Sequence, residues 1–208
     1  MTKSCKTCRR LNQKLFLKGD RCSSPKCAFI KRPYAPGLQK KRRRSNLSEY
    51  GKELKEKQKL KRFYGLREKQ FKKYIEAVLE KRGKVEDASL LLIDLLERRL
   101  DNVVFRLGLA KSRREARQLV SHSHFLVNEK PVNIPSFKVK KDDIVCLKET
   151  KKKKPVFQNF SSSLKNYQAP NWLKLDKSKL EGKVVGNPSA EEITSAVDIP
   201  SIFEFYSR

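Results

Sequence analysis

Four of the five cysteines lie near the start of the chain, at spacings typical of a metal site. They form a C-x2-C pair, then thirteen intervening residues, then a C-x4-C pair: Cys5, Cys8, Cys22 and Cys27. Two thiolate pairs at such spacings can close a tetrahedral zinc site. Free thiols and a redox pair are the alternatives, but a redox C-x-x-C motif needs a surrounding βαβ pattern, which is missing. The spacing therefore favours one structural Zn²⁺ ion.

A second constellation is a row of arginines on a predicted helix. Ser112 and Glu115 have the spacing of a capping box, which predicts that a helix begins near Arg113. At 100° per residue, its arginines fall within an arc of about 100°: Arg113, Arg114 and Arg117. Three guanidinium groups on one arc could hold successive phosphates. The alternative is a solvated helix face.

Two histidines follow this helix, at its junction with a predicted strand. His122 and His124 are candidates for contacts with phosphate or for packing and capping. Acid–base catalysis is an alternative, but no nucleophile, paired carboxylates or Gly-rich phosphate loop accompanies them.

The composition calls for a polyanionic partner. The 208 residues include 50 Lys and Arg against 23 Asp and Glu, for a formal net charge of +27. Nucleic acid is the first candidate and an anionic membrane surface the second. No apolar run approaches the roughly 20 residues of a spanning helix, and the N-terminus lacks the apolar core of a signal peptide. We therefore expect an intracellular protein with reduced thiols and no membrane partner.

The residues around the arginine row predict a compact α+β module. An apolar stripe at the helical period runs from Leu92 to Leu107, which predicts one continuous helix before the arginine-bearing one. Short strands follow at 125–127, 131–133 and 144–147, and alternation predicts two more at 172–176 and 183–185. Two helices packed on a small antiparallel sheet would present the arginines on one surface.

The first 83 residues predict an extended arm followed by helices. Prolines and a charge run at 31–44 oppose regular structure. Helical patterns then extend from 45 to 83, with Ser48 as a candidate cap. We expect phosphate contacts from the basic residues of both parts: Arg42, Arg43, Arg44, Lys61, Arg62 and Lys69. The apolar, acidic tail at 191–208 should fold back on these helices.

Several segments resemble the ribosomal protein S4 family. Residues 96–107 and 112–120 are similar to its RNA-binding module, and segments at 47–51, 64–71 and 205–208 extend the resemblance over almost the entire chain. The four cysteines match the members that carry an N-terminal zinc knuckle. The family usually has glycine where this chain has Ser123 and Glu129, so the Asn128–Glu129 turn should be longer or strained.

The resemblance implies three parts: a zinc-binding knuckle and basic arm at 1–44, a helical subdomain at 45–90 joined by the tail 191–208, and an S4-type RNA-binding domain at 91–190. It also implies a structural protein of the small ribosomal subunit, located on the cytoplasmic ribosome. Such a protein would bind a junction near the 5′ end of the small-subunit ribosomal RNA, nucleate assembly and contribute to translational accuracy. Neighbouring small-subunit ribosomal proteins are implied partners, and messenger RNA is a further candidate.

Two other classes of protein share some of these sequence features. An enzyme that borrows the S4-type module, such as a pseudouridine synthase or a tyrosyl-tRNA synthetase, would resemble the chain over the module alone. It would also need a separate catalytic domain, which no stretch of this sequence can supply. A DNA-binding zinc protein would share the charge and the cysteines. Competition between ribosomal RNA and duplex DNA distinguishes this last alternative.

Overall fold

The chain divides into two compact units. The first unit spans Met1–Ser89 with Glu191–Arg208, and the second spans Leu90–Ala190. The finer division of the first unit at residue 44 stays a prediction. The computed structural model describes residues 3–37, 46–81, 87–152, 154, 157, 164, 167–188 and 197–207.

The N-terminal part of the first unit consists of short helices around a small apolar cluster. Helix α1 spans Lys3–Leu11, α2 spans Asp20–Ser23 and α3 spans Ala28–Lys31. The cluster joins three buried residues to partly buried neighbours: Cys8, Leu11 and Leu15, with Leu17, Phe29 and Phe63. So small a core contributes little stability, because a short segment buries too little apolar area.

Two longer helices complete the ordered body of the first unit. Helix α4 spans Glu49–Phe63 and α5 spans Glu68–Leu79. The predicted cap is confirmed, since the Ser48 hydroxyl accepts a 3.2 Å hydrogen bond from the Gly51 amide. The apolar face of α5 buries Phe71, Ile75 and Val78 at the helical spacing.

The C-terminal tail packs on these helices through aromatic and charged groups. Its helix, α10, spans Pro200–Ser207. The Lys57 ammonium lies 4.1 Å from the Phe205 ring centroid, and the Tyr206 hydroxyl donates a 2.9 Å hydrogen bond to Glu68. Burial raises the pKa of Glu68, but hydrogen bonds from Lys61, Lys57 and Tyr206 outweigh it and lower the pKa to about 2. This carboxylate is therefore ionised at neutral pH and can hold α10 and two lysines together.

The second unit begins with two helices where one was predicted. Helix α6 spans Ala88–Glu97 and α7 spans Leu100–Arg106. Arg99 between them is extended, at φ −69° and ψ 136°, and pairs with Lys138 in an isolated β-bridge. The long-range pairing of Arg99 with Lys138 ends α6, so the predicted continuous helix is wrong. The apolar stripe is nevertheless buried on both sides of the break.

The rest of this unit is a helix and a five-stranded antiparallel sheet. Helix α8 spans Arg113–Ser121 and the short α9 spans Glu149–Lys152. Strands β1 to β5 have the order β2-β1-β3-β5-β4. They cover Phe125–Val127, Lys130–Pro131, Ile144–Leu147, Leu173–Asp176 and Glu181–Val184. The predicted α+β class with a small antiparallel sheet is confirmed.

One hydrophobic core lies between the helices and one face of the sheet. Leu100 and Val103 of α7, and Leu107 directly after it, are fully buried in one cluster with Ala116 and Val120 of α8. Phe125, Val145 and Val184 extend the same core from the strands. In the part of the chain that the structure describes, no helix is long and apolar enough to span a bilayer.

The β1–β2 turn is tight and strained. Asn128 and Glu129 are its two central residues, with φ of 47° and 67°. Asparagine tolerates this region, and here its side-chain oxygen accepts a 2.9 Å bond from the Ile144 amide while its side-chain amide donates to Asp143. Glutamate has no such compensation, so the predicted strain is present in a two-residue turn.

Replacing Glu129 by glycine should therefore stabilise the second unit by about 0.5–1 kcal/mol, because glycine adopts positive φ without steric cost. Denaturant unfolding of the purified chain measures the change. The matched control is Asn128→Gly, which has the same backbone freedom but loses both side-chain hydrogen bonds and should destabilise. Equal effects of the two substitutions would contradict the assignment of strain to Glu129.

Candidate nucleic-acid interface

Two acidic side chains of the second unit are buried and surrounded by arginines. Asp101 is 3% exposed, and the equally buried Arg99 donates to both of its oxygens at 3.1 and 2.9 Å. Arg117 reaches the same carboxylate from α8, with its Nε and Nη2 at 2.9 and 2.7 Å from Oδ2. One buried carboxylate thus joins the start of α7 to the middle of α8.

The second buried acid is Glu97, at the end of α6. Arg106 donates to its two carboxylate oxygens at 2.9 and 3.2 Å, and the Asn102 side-chain amide donates at 2.8 Å. Arg113 of α8 donates to the Asn102 oxygen at 2.7 Å and lies over the Phe105 ring at 4.5 Å. These charge-assisted hydrogen bonds compensate the desolvation of Glu97 and fix α6, α7 and α8 together.

The three predicted arginines of α8 therefore have different surroundings. The guanidinium groups of Arg113 and Arg117 contact residues of α7. Arg114 is exposed, and its side chain makes no hydrogen bond or ion pair within the described residues. The predicted cap of this helix is confirmed, because the Ser112 hydroxyl accepts from the Glu115 amide at 3.3 Å and Glu115 accepts from the Lys111 amide at 2.7 Å. The cap sets which face each arginine occupies.

His122 and His124 lie next to each other at the C-terminal end of α8. Their ring centroids are 6.2 Å apart and the ring planes differ by 17°. His122 is exposed, whereas His124 is 8% exposed and meets the Phe157 ring edge-on at 5.4 Å. Burial lowers the pKa of His124, and the nearby charges of Lys154 and Lys151 lower it further. A neutral, buried His124 can support the exposed ring of His122.

The predicted RNA contacts of the first unit are also placed differently from one another. Lys61 is 6% exposed and forms an ion pair with Glu68, so its charge is directed into the protein. Arg62 and Lys69 are exposed on α4 and α5. The predicted contacts of the basic arm, at Arg42, Arg43 and Arg44, lie outside the described residues.

The four N-terminal cysteines line one small cavity. It has a volume of about 10 Å³ and is also lined by Lys14, Leu17 and Phe29. Burial raises the pKa of Cys8, and the other three thiols, Cys5, Cys22 and Cys27, raise it further through repulsion of their charged forms. No group of three or more potential ligands adopts a metal-coordinating arrangement within the described residues. A shared cavity with four soft donors and no carboxylate fits zinc chemistry.

Sequence reasoning missed the partners of the arginines. Glu97 and Asp101 fall on the face of the predicted helix opposite its apolar stripe, but both are buried. The available signal for these ion pairs was the presence of two acidic residues among many basic ones, because a buried carboxylate requires cationic partners. The extended Arg99 that brings Asp101 into position had no local signal.

Known proteins of one family are similar to this chain over nearly its whole length. Residues 1–97 match the family described as "Ribosomal protein S4/S9 N-terminal domain", and residues 98–145 match "S4 domain". "Small ribosomal subunit protein uS4" of Caldicellulosiruptor saccharolyticus is 50% identical over 98% of this chain and 96% of its own length. The proteins of the same name from Thermotoga petrophila and Acetivibrio thermocellus are each 47% identical, over 98% and 99% of this chain and 96% and 97% of their own lengths.

Proposed function

The chain belongs to the ribosomal protein uS4 family, and on that premise we propose that it binds small-subunit ribosomal RNA through dispersed basic side chains on both units. Its function is that of a structural protein of the small ribosomal subunit, and its predicted place on the cytoplasmic ribosome is confirmed by the same relatives. The family is a structural one. The match to the N-terminal ribosomal family distinguishes the chain from enzymes that share the S4 module alone.

The observation that carries the RNA proposal is the basic excess. A net charge of +27 on 208 residues requires neutralisation by a polyanion. Arg62, Lys69 and Arg114 place exposed cations on three different helices. Rigid helices that separate such contacts suit folded RNA, whose backbone and shape are more accessible than its major-groove edges.

The test is binding of the full chain to the 5′ region of small-subunit ribosomal RNA, with duplex DNA as competitor. We expect the ribosomal RNA to bind about 10³-fold more tightly than the duplex, by analogy with specific and non-specific nucleic-acid complexes. Affinity should fall steeply with salt, because each phosphate contact adds roughly 0.7–0.9 to the log–log slope. Equal affinity for both nucleic acids would instead support a general nucleic-acid-binding protein.

The proposal includes one structural Zn²⁺ ion held by Cys5, Cys8, Cys22 and Cys27. Four thiolates would close the coordination shell and leave no position for catalysis. The support is the common cavity of these cysteines and the small apolar core of residues 3–31. In this segment the ion would supply the order that the apolar core cannot.

The finer roles follow the family resemblance. The protein would bind a helical junction early, nucleate assembly of the subunit body and contribute to translational accuracy. Neighbouring small-subunit ribosomal proteins are partners in this proposal. Contact with messenger RNA stays a prediction.

A further inference from the structure

We propose that the RNA contact surface of α8 is an exposed stripe formed by Arg114, Gln118, Ser121 and His122, and that Arg113 and Arg117 hold the helix against α7 instead of binding phosphate. The inference rests on the proposed RNA-binding function and deepens it, because it names the face that meets the RNA. It changes the arginine row expected from sequence into two groups with different roles.

Helical geometry places the four residues of the exposed α8 stripe together. Taking Arg114 as the origin, the 100° rotation per residue keeps Gln118, Ser121 and His122 within an arc of about 100°. All four residues are exposed. The opposite side of the helix buries Ala116 and Val120 in the core. The stripe is thus the side of α8 directed away from the protein interior.

Arg113 and Arg117 are poorly placed to transfer to phosphate. Arg117 gives two hydrogen bonds, at 2.9 and 2.7 Å, to an Asp101 carboxylate that is 3% exposed. The Nε of Arg113 is bonded to Asn102, which in turn donates to Glu97. Removing either arginine from its site would reduce the compensation of a buried carboxylate, which is strongly unfavourable.

Arg114 has the opposite character. Among the described residues its guanidinium forms no ion pair or hydrogen bond, so no internal contact must be broken when it binds an anion. An exposed guanidinium can bind phosphate with two parallel hydrogen bonds. Of the three arginines of α8, Arg114 is therefore the one best placed to bind a phosphate.

The surface continues beyond the end of the helix. The exposed ring of His122 lies 6.2 Å from the His124 ring, and Lys151 and Lys154 are near enough to influence His124. Phosphates can meet the cations, while an unpaired base can stack on His122. Folded RNA supplies both groups within a short distance, which makes it the occupant that fits this surface.

The first experiment compares Arg114→Gln with Arg117→Gln in the full chain. Both changes remove one positive charge from adjacent parts of one helix. Arg114→Gln should lower the log–log salt slope for small-subunit ribosomal RNA by roughly 0.7–0.9, with hydrogen-exchange protection of α8 unchanged. Arg117→Gln should reduce that protection while the slope of the folded protein stays the same. The reverse pattern would overturn the proposal.

A substitution that strengthens RNA binding provides a second test, because misfolding would weaken binding and not strengthen it. Gln118→Arg adds a cation to the centre of the stripe at an exposed position, and should raise the slope by roughly 0.7–0.9 and tighten binding several-fold. An unchanged slope would show that RNA does not approach this face. If the unsubstituted chain prefers ribosomal RNA but none of the stripe variants alters its slope, the surface assignment fails and the proposed function stands. If the unsubstituted chain shows no preference, the proposed function itself fails.

Discussion

Asp101→Ala should lower the unfolding free energy of the second unit by about 3–5 kcal/mol, the cost typical of removing one partner from a buried ion pair. The carboxylate accepts from both Arg99 and Arg117, and the Arg99 side chain is only 4% exposed. Alanine would leave the Arg99 charge buried without its compensating anion. Arg117 would lose the contact that links α8 to the start of α7. Hydrogen exchange of the amides in α7 and β1 measures the loss in this unit specifically.

Two variants control for effects other than loss of the buried pair. Asp142→Asn removes the charge of an exposed carboxylate that pairs with Lys183 at 3.0 Å, keeps a residue type that tolerates the φ of 68° at this position, and should cost less than about 0.5 kcal/mol. The double change Asp101→Ala, Arg99→Met removes the buried charge as well, and should recover part of the stability. A loss below about 1 kcal/mol for Asp101→Ala would contradict the structural importance of this network.

The double substitution Cys22→Ser, Cys27→Ser should abolish zinc binding and release residues 3–31 from their folded arrangement. Structural zinc contributes about 10–16 kcal/mol of apparent binding free energy in finger peptides, far more than the small cluster around Cys8, Leu11 and Leu15 can supply. We expect about one zinc ion per unsubstituted chain and none in the variant. Amide exchange in α1 should become fast, while α7 and β1 stay protected.

Cys146→Ser is the matched control, because Cys146 lies in β3 of the other unit. This single change should leave the zinc content at about one ion per chain. Purification without oxygen and without chelators excludes trivial loss of the metal. Absence of zinc from the unsubstituted chain under those conditions would refute the site, as would persistent protection of α1 in the double variant.

Features fixed by local chemistry were predictable from sequence. The Ser48 and Ser112 caps, the strand at 144–147 and the later strand pair depend on neighbouring residues and on alternation of apolar side chains. The strain at Glu129 was also predictable, because a side chain without local compensation disfavours positive φ.

Features that depend on contacts between residues far apart in the sequence were not predictable. The helix predicted across Arg99 breaks because this residue pairs with Lys138, nearly forty positions away, which no local period can reveal. The same break brings Asp101 to Arg117. The 100° spacing placed the three arginines of α8 correctly on its circumference, but the contacts of Arg113 and Arg117 depend on α7, whose position follows from the tertiary fold.

The discontinuity of the first unit has a consequence for synthesis of the chain. Helix α10 supplies the Tyr206 contact to Glu68 and the Phe205 contact to Lys57, yet it follows the whole of the second unit in the sequence. The second unit is contiguous in sequence, and its last strand ends at Val184. Because domains fold as units while translation proceeds, the later unit can complete its core on the nascent chain before the earlier one. The N-terminal helices can therefore receive α10 only after the entire second unit has been synthesised.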